Sequence, residues 1–155
     1  RAADYVHIMT PYFVVDKEFV DVMRFAAGRG VEVVMILPHI PDKKVVYWIA
    51  RNFYPDLLRA GIKVYEYTPG FVHAKVFVSD DVSATVGTVN LDYRSFYHHF
   101  ECGVFFHENS VVRKVEEDFR NTLQQCQEVT MNYYRKIPLY QKMVGMVARL
   151  LAPLM

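Results

Sequence analysis

The run Val31 to Leu37 (VEVVMIL), set between Gly30 and Pro38, constrains this chain more than any other segment. It is rich in β-branched residues and ends where a proline cannot continue a ladder, so it reads as a buried strand. What precedes it fits. Tyr5 to Met9 is short, mostly apolar and ended by Pro11. Lys17 to Ala27 brings Phe19, Val20, Val22, Met23 and Ala26 near helical spacing, and Gly28 and Gly30 stop it. Strand, helix, strand predicts a right-handed crossover between parallel strands.

The rest continues the pattern. Lys43 to Arg59 reads as a helix that Pro55 breaks or kinks, with Gly61 as its C-cap. Ile62 to Tyr67 is a third strand, followed by the turn Thr68-Pro69-Gly70. His73 to Val78 and Val82 to Val86 are short strands around Ser79-Asp80-Asp81, spaced for a hairpin, and Cys102 to Phe106 is one more strand. Ser110 to Gln125 is an amphipathic helix with Val111, Val112, Val115, Phe119 and Leu123 on one face. The expected fold is an α/β sandwich, a mixed, largely parallel sheet with helices on both faces.

A length of 155 residues suits one domain, and 52% hydrophobic content excludes disorder as the bulk state. A net charge of +1 gives no indication of a strongly basic nucleic-acid binder. Two cysteines, Cys102 and Cys126, are too few for a disulfide scaffold or a four-cysteine zinc site, and read as inert buried thiols. No run of about 18 apolar residues reads as a membrane span. Arg1, without a methionine and close to the first strand, reads as the start of a piece cut from a longer protein.

Two units are expected: residues 1–128 as the α/β domain and 129–155 as a basic amphipathic tail. After Glu128 there is no acidic residue, and Arg135, Lys136, Lys142 and Arg149 alternate with apolar side chains from Ile137 to Leu154 and Met155. Such a stretch suits a membrane surface; a helix packed on the domain is the other reading.

The chemistry lies between Phe71 and Phe106. On a strand His73 and Lys75 point to one face, while Val72, Ala74, Val76 and Val78 face a core. Together with Asn90, Thr88 and a nearby carboxylate such as Glu101, they form a set suited to a phosphate ester. Imidazole attacks phosphorus or moves a proton near neutral pH, lysine supplies positive charge, and Thr88 and Asn90 donate to non-bridging oxygens. Glu101 can hold one imidazole nitrogen and expose the other. Gly87 permits close backbone approach. Asp92 and Arg94 read as an ion pair beside this set.

The spacing His73, Lys75, four residues, Asp80, six residues, Gly87-Thr88-x-Asn90 resembles the His-Lys-Asp motif of the phospholipase D superfamily. Thr10-Pro11-Tyr12-Phe13, Phe71-Val72-His73-Ala74-Lys75, Asn90-Leu91-Asp92 with Arg94-Ser95-Phe96, and Phe100-Glu101 are similar to bacterial cardiolipin synthases, in their C-terminal half. The resemblance covers most of the chain.

It implies a phospholipase D-like fold and a phosphatidyl transfer needing neither metal nor cofactor. One motif histidine forms a phosphohistidine. The other protonates the leaving alcohol and then activates the acceptor; His73 is assigned this second role. Lys75 and Asn90 grip the phosphoryl oxygens, with Gly87, Thr88 and Tyr12 beside the substrate. Glu101 orients His73, and Asp80 belongs to the motif in a structural role, because a carboxylate aimed at a phosphate repels it. The implied substrate is phosphatidylglycerol, two molecules of which are joined with release of glycerol at the bacterial inner membrane.

Thr88 replaces the commoner serine and keeps the hydroxyl. Ser79 stands where an apolar residue is usual. Only one motif is present, whereas a site takes two, so the partner is the other half of a parent chain or a second copy. A single-motif homodimeric nuclease and an inactive lipid-binding fragment are the alternatives; nucleic acid is disfavoured by the near-zero charge and the apolar tail.

Overall fold

The computed structural model describes residues 2–152; Leu154 and Met155 of the tail lie outside them. The elements are β1 (Tyr5–Met9), β2 (Phe13–Val14), α1 (Lys17–Gly28), β3 (Glu32–Pro38), α2 (Lys44–Arg51), α3 (Tyr54–Arg59), β4 (Lys63–Tyr67), β5 (Val76–Ser79) and β6 (Ser83–Gly87), then β7 (Leu91–Asp92), α4 (Tyr93–Tyr97), β8 (Gly103–His107), α5 (Ser110–Leu123), β9 (Cys126–Val129), α6 (Met131–Lys136) and α7 (Leu139–Leu150).

Local chemistry sets these boundaries. Asp16 caps α1 by accepting from the Phe19 N–H at 2.8 Å. Gly30, at φ +92°, ends α1: its N–H reaches the Ala27 carbonyl and that of Val31 reaches Ala26, a Schellman closure. Gly61, at φ +82°, closes α3 in the same way, with Ile62 bonded back to Leu57. Pro55 falls in the first turn of α3, where its missing N–H costs nothing. The expected long helix is thus two.

One seven-stranded sheet has the order β8-β6-β5-β1-β3-β4-β9. Its centre, β1-β3-β4, is parallel, and the pairings outside it are antiparallel. Along β3, Val33, Met35 and Leu37 enter the core under α1, α2 and α3, while Val34 and Ile36 pack with Phe119 of α5. Helices therefore cover both faces, with side chains alternating between two cores. From α5, Val112 and Phe119 are fully buried, and Val111, Val115 and Leu123 are half-buried.

The hairpin β5–β6 turns through Asp80 and Asp81, both left-handed at φ 55° and 53°. This pairing of positive φ values suits the twist of the strands it joins. Val76, not His73, begins the strand, and His73 and Lys75 lie in the extended segment before it. The alternation survives: Val72 and Val76 are buried, His73 is exposed. Short of a full ladder, the segment is anchored by the Gly87 N–H donating to the Lys75 carbonyl at 3.3 Å.

Three features lie outside the sequence reading. Strand β9 has a polar sequence, CQEV, yet forms an edge against β4. Strands β2 and β7 form a separate parallel pair, which ties Phe13 to Leu91. The short α4 follows at once, capped by Asp92. The cysteines also differ from expectation: Cys102 is exposed and Cys126 half-buried, both free. Cys102 belongs to the strand connection beside Gly87, where its backbone rather than its thiol is engaged.

Helix α7 packs on α2. A Cβ at Gly145 would stand 2.4 Å from the Trp48 carbonyl oxygen, so only glycine allows this approach. The polarity of α7 is inverted. Gln141, Lys142, Gly145, Ala148 and Arg149 face the protein, and Leu139, Met143, Val144, Met146, Val147 and Leu150 are exposed.

Candidate active site

His73, Lys75, Gly87, Thr88, Asn90 and Glu101 line one open cleft of about 500 Å³. It opens at the edge of the sheet where the parallel strands end, since Met9 of β1 pairs with Val76 of β5. His73 and Lys75 approach along the chain entering β5. Gly87 and Thr88 come from the end of β6, and Glu101 from the chain entering β8.

Gly87 acts as a spacer. A Cβ there would lie 2.5 Å from the Cys102 carbonyl oxygen and 2.6 Å from the Gly103 Cα, so β6 and β8 meet only because it has none. That approach places Thr88. Its N–H donates to the Cys102 carbonyl at 2.9 Å, and its hydroxyl accepts from the Cys102 N–H at 2.9 Å while donating to Glu101 Oε2.

Asn90 is fixed by the cap of α4. The Asn90 N–H donates to Ser95 Oγ at 3.1 Å, and the Ser95 N–H donates to Asp92 Oδ1 at 2.8 Å. The Asn90 Oδ1 atom is buried and has no hydrogen-bond partner among the described residues. Such an orphan costs free energy in a folded protein, and His7 Nε2 and Gln141 Oε1 share the condition. Ser95 and Asp92 are thus positioning residues whose capping spacing, Asp-x-x-Ser, was legible in the sequence. Asp92 caps the helix, and Arg94 has no carboxylate partner among the described residues, so the expected ion pair is replaced by a cap.

The Lys75 ammonium donates to the His73 carbonyl oxygen at 2.7 Å and lies 3.0 and 3.1 Å from the two ring nitrogens. Near-equal distances to both ring nitrogens leave it aligned with neither in-plane lone pair. Partial burial lowers the Lys75 pKa, against the pull of Glu101 and Asp92. Hydroxyl donation from Thr88, then from Ser95, holds the Glu101 carboxyl below its ordinary range. Glu101 bonds to Thr88 and not to His73. The Phe71 ring, 5.5 Å from the His73 ring, is the imidazole's neighbour on the other side.

Two expected members stand apart. Asp80 lies at the far end of β5, roughly 17 Å of strand from Lys75. There its carboxylate accepts from the backbone N–H groups of Ala3, Asp4 and Tyr5 at 2.8, 3.0 and 2.8 Å. Partial burial raises its pKa, but those donors win and leave it lowered. It stitches the hairpin tip to the entry of β1. Tyr12 lines a neighbouring cavity; its hydroxyl donates to Asp42 at 2.5 Å, and its ring is 6.4 Å from Phe71.

A histidine and a lysine before a β-hairpin, and the Gly-Thr-x-Asn turn after it, form the pattern of the phospholipase D superfamily on an α/β sheet. The fold agrees. Nuc of Salmonella typhimurium, a phospholipase D family member, superposes with a TM-score of 0.70 at 18% identity over 83% of each chain. Phosphatidylserine synthase of Haemophilus influenzae superposes with a TM-score of 0.69 at 16% identity, over 99% of this chain and 40% of that one. The family described as cardiolipin synthase, PLD-like domain, matches residues 1–123, and the chain belongs to it. Cardiolipin synthase 2 of Bacillus anthracis is 37% identical over 150 residues, 97% of this chain but 29% of that protein. The chain thus spans about a third or less of the relatives it matches.

Proposed function

We propose that this chain supplies one half of the active site of a phosphatidyltransferase that joins two phosphatidylglycerol molecules and releases glycerol. The observation that carries the reading is the convergence of His73, Lys75, Thr88 and Asn90 on one cleft. The β5–β6 hairpin, the Gly87 spacer and the α4 cap serve that convergence.

In the proposed chemistry, an imidazole nitrogen of the other motif attacks the donor phosphorus. A P–N bond forms and the P–O bond to glycerol breaks. His73 gives its proton to the departing oxygen. It then takes the proton of the acceptor hydroxyl, whose oxygen forms the new P–O bond as the P–N bond breaks. Lys75 and Asn90 bind the non-bridging oxygens, where charge accumulates in each transition state. The Asn90 backbone, held by Ser95 Oγ, keeps the side chain at the cleft. The exposed Phe100, next to Glu101 in the chain, and the exposed Val104 and Phe105 of the edge strand β8 support completion by the other half of the parent or a second copy.

The outward apolar face of α7, with Arg135 and Lys136 before it, supports work at a bacterial inner-membrane surface. No helix among the described residues is long and apolar enough to cross a membrane.

The test is His73→Ala in the full-length protein. Loss of product from phosphatidylglycerol is expected, with the first transfer restored on a donor whose p-nitrophenolate leaving group needs no proton. Full activity in His73→Ala refutes the reading. Loss on both donors gives His73 the nucleophile's role instead.

A further inference from the structure

Beside the motif cleft lies a second cavity, about 380 Å³, that the proposed chemistry leaves unused. Its walls mix three kinds of surface. Val46 and Ala152 are apolar, Lys43 and Arg94 bring positive charge, and Asp92 brings one carboxylate. Neither cation has a carboxylate partner among the described residues. The Lys43 ammonium instead lies 5.1 Å from the centre of the Tyr12 ring. One Asp92 oxygen is taken by the Ser95 N–H, which leaves the other to accept from a ligand.

We propose that this cavity binds the glycerol phosphate head of a second phospholipid, the acceptor of the phosphatidyl group; this rests on the phosphatidyl-transfer reading above. The chemistry of the walls selects such a ligand. A phosphodiester matches the two cations, and free glycerol hydroxyls match Asp92. A bare phosphate would match the cations but bring no glycerol hydroxyl to the free Asp92 oxygen. Val46 and Ala152 suit the start of acyl chains, and the volume is that of a small-molecule site.

Position agrees with chemistry. Tyr12 lines the cavity and lies 6.4 Å from Phe71, which lies 5.5 Å from His73. Asp92 lines the cavity and, through Ser95, is tied to the Asn90 backbone of the cleft, so one short segment serves both spaces. A head group held by Lys43 and Arg94 therefore extends its terminal hydroxyl toward the cleft. Ala152 follows directly on α7, whose exposed face is apolar. The cavity thus borders the surface from which a lipid would enter.

The experiment is calorimetric titration of the full-length protein, in a His73→Ala background that stops turnover. The probe is dihexanoylphosphatidylglycerol below its micelle concentration, with inorganic phosphate as the second probe. The expected result is lipid binding that weakens tenfold or more in Lys43→Gln/Arg94→Gln, and again in Val46→Trp, which fills the cavity without touching charge. Phosphate is expected to bind more weakly than the lipid. Lipid binding unchanged in both variants overturns the proposal. So does phosphate binding as tightly as lipid with the same dependence on Lys43 and Arg94, which would mark a simple anion site. If the cavity variants bind normally while wild-type protein transfers phosphatidyl groups, only this proposal fails. If the cavity binds lipid as expected but wild-type protein transfers nothing, a head-group site stands, while its role as acceptor site fails with the transfer reading.

Discussion

Two histidines of this chain meet opposite surroundings. His7 sits inside the sheet on β1, 4% exposed, with its ring stacked on Phe119 at 4.6 Å and its Nδ1 held by the Glu116 carboxylate at 2.9 Å. His73 stands exposed in the cleft, beside a lysine and an aromatic ring, with no carboxylate on it. A histidine oriented by a carboxylate resembles a catalytic dyad. At His7 that arrangement belongs to the core, whereas His73, open to a substrate, has no carboxylate partner among the described residues. The pair at His7 is structural because burial closes it to a ligand: its Nε2 is enclosed as well and has no hydrogen-bond partner among the described residues. The same contrast separates the carboxylates. Glu66 is fully buried and accepts from Arg51, Tyr54, Tyr133 and His39. Glu101 is held by hydroxyls at the edge of a cleft.

The strongest way to break this comparison is to exchange the fates of the two histidines. His73→Ala is expected to lower phosphatidyl transfer by at least about 10³-fold, on the scale of lost acid–base catalysis, with an unchanged melting curve. His7→Ala is expected to cost about 2–4 kcal/mol of stability, because it leaves Glu116 buried with one partner fewer and opens a gap beside Phe119. Parallel lipid chromatography and urea unfolding check both. Turnover lost in folded His7→Ala protein would contradict the contrast.

The next expected effect concerns Glu66. Burial pushes its carboxyl up, but Arg51 foremost, then Tyr133 and His39, outweigh burial and hold it below the usual range. A lowered folded pKa contributes stability above the ordinary carboxylate pKa, and that stability is lost as pH falls through the folded value. Arg51→Gln removes the main opposing charge. It is expected to destabilise the fold by about 3 kcal/mol at neutral pH and to move acid unfolding to higher pH. A pH series of thermal melts reads this directly.

Gly87→Ala is expected to cost about 1–3 kcal/mol, because the added methyl meets the backbone at Cys102 and Gly103. It also moves Thr88, so transfer should fall by more than the stability loss explains; single-turnover assays on folded protein separate the two. The smallest effect is Thr88→Val. Without the hydroxyl donor, the Glu101 pKa rises toward its ordinary value. The acidic limb of the pH–rate profile should then shift to higher pH. An unshifted limb would mean that Glu101 ionisation does not govern turnover.

The sheet was legible wherever a strand is apolar on one or both faces, as at β1, β3, β4 and the β5–β6 hairpin. It was illegible at β9, whose CQEV carries no alternating pattern and is a strand only because β4 offers an edge. The site was legible as a list of residues, because motif spacing is a local property of the chain. The partners within it were not. Glu101 bonds Thr88 because Gly87 lets β6 and β8 close together, a fact about two segments meeting.

Local sequence, then, determined the elements, their caps at Asp16, Gly30 and Gly61, and the residues that carry the chemistry, since each depends on neighbours within a few positions. Tertiary structure alone decided which carboxylate meets which histidine, that the structural role of Asp80 is to hold the backbone entering β1, and that α7 turns its apolar face outward. Those outcomes depend on contacts between distant segments, and hydrophobic pattern by itself does not say which face of a helix finds a partner.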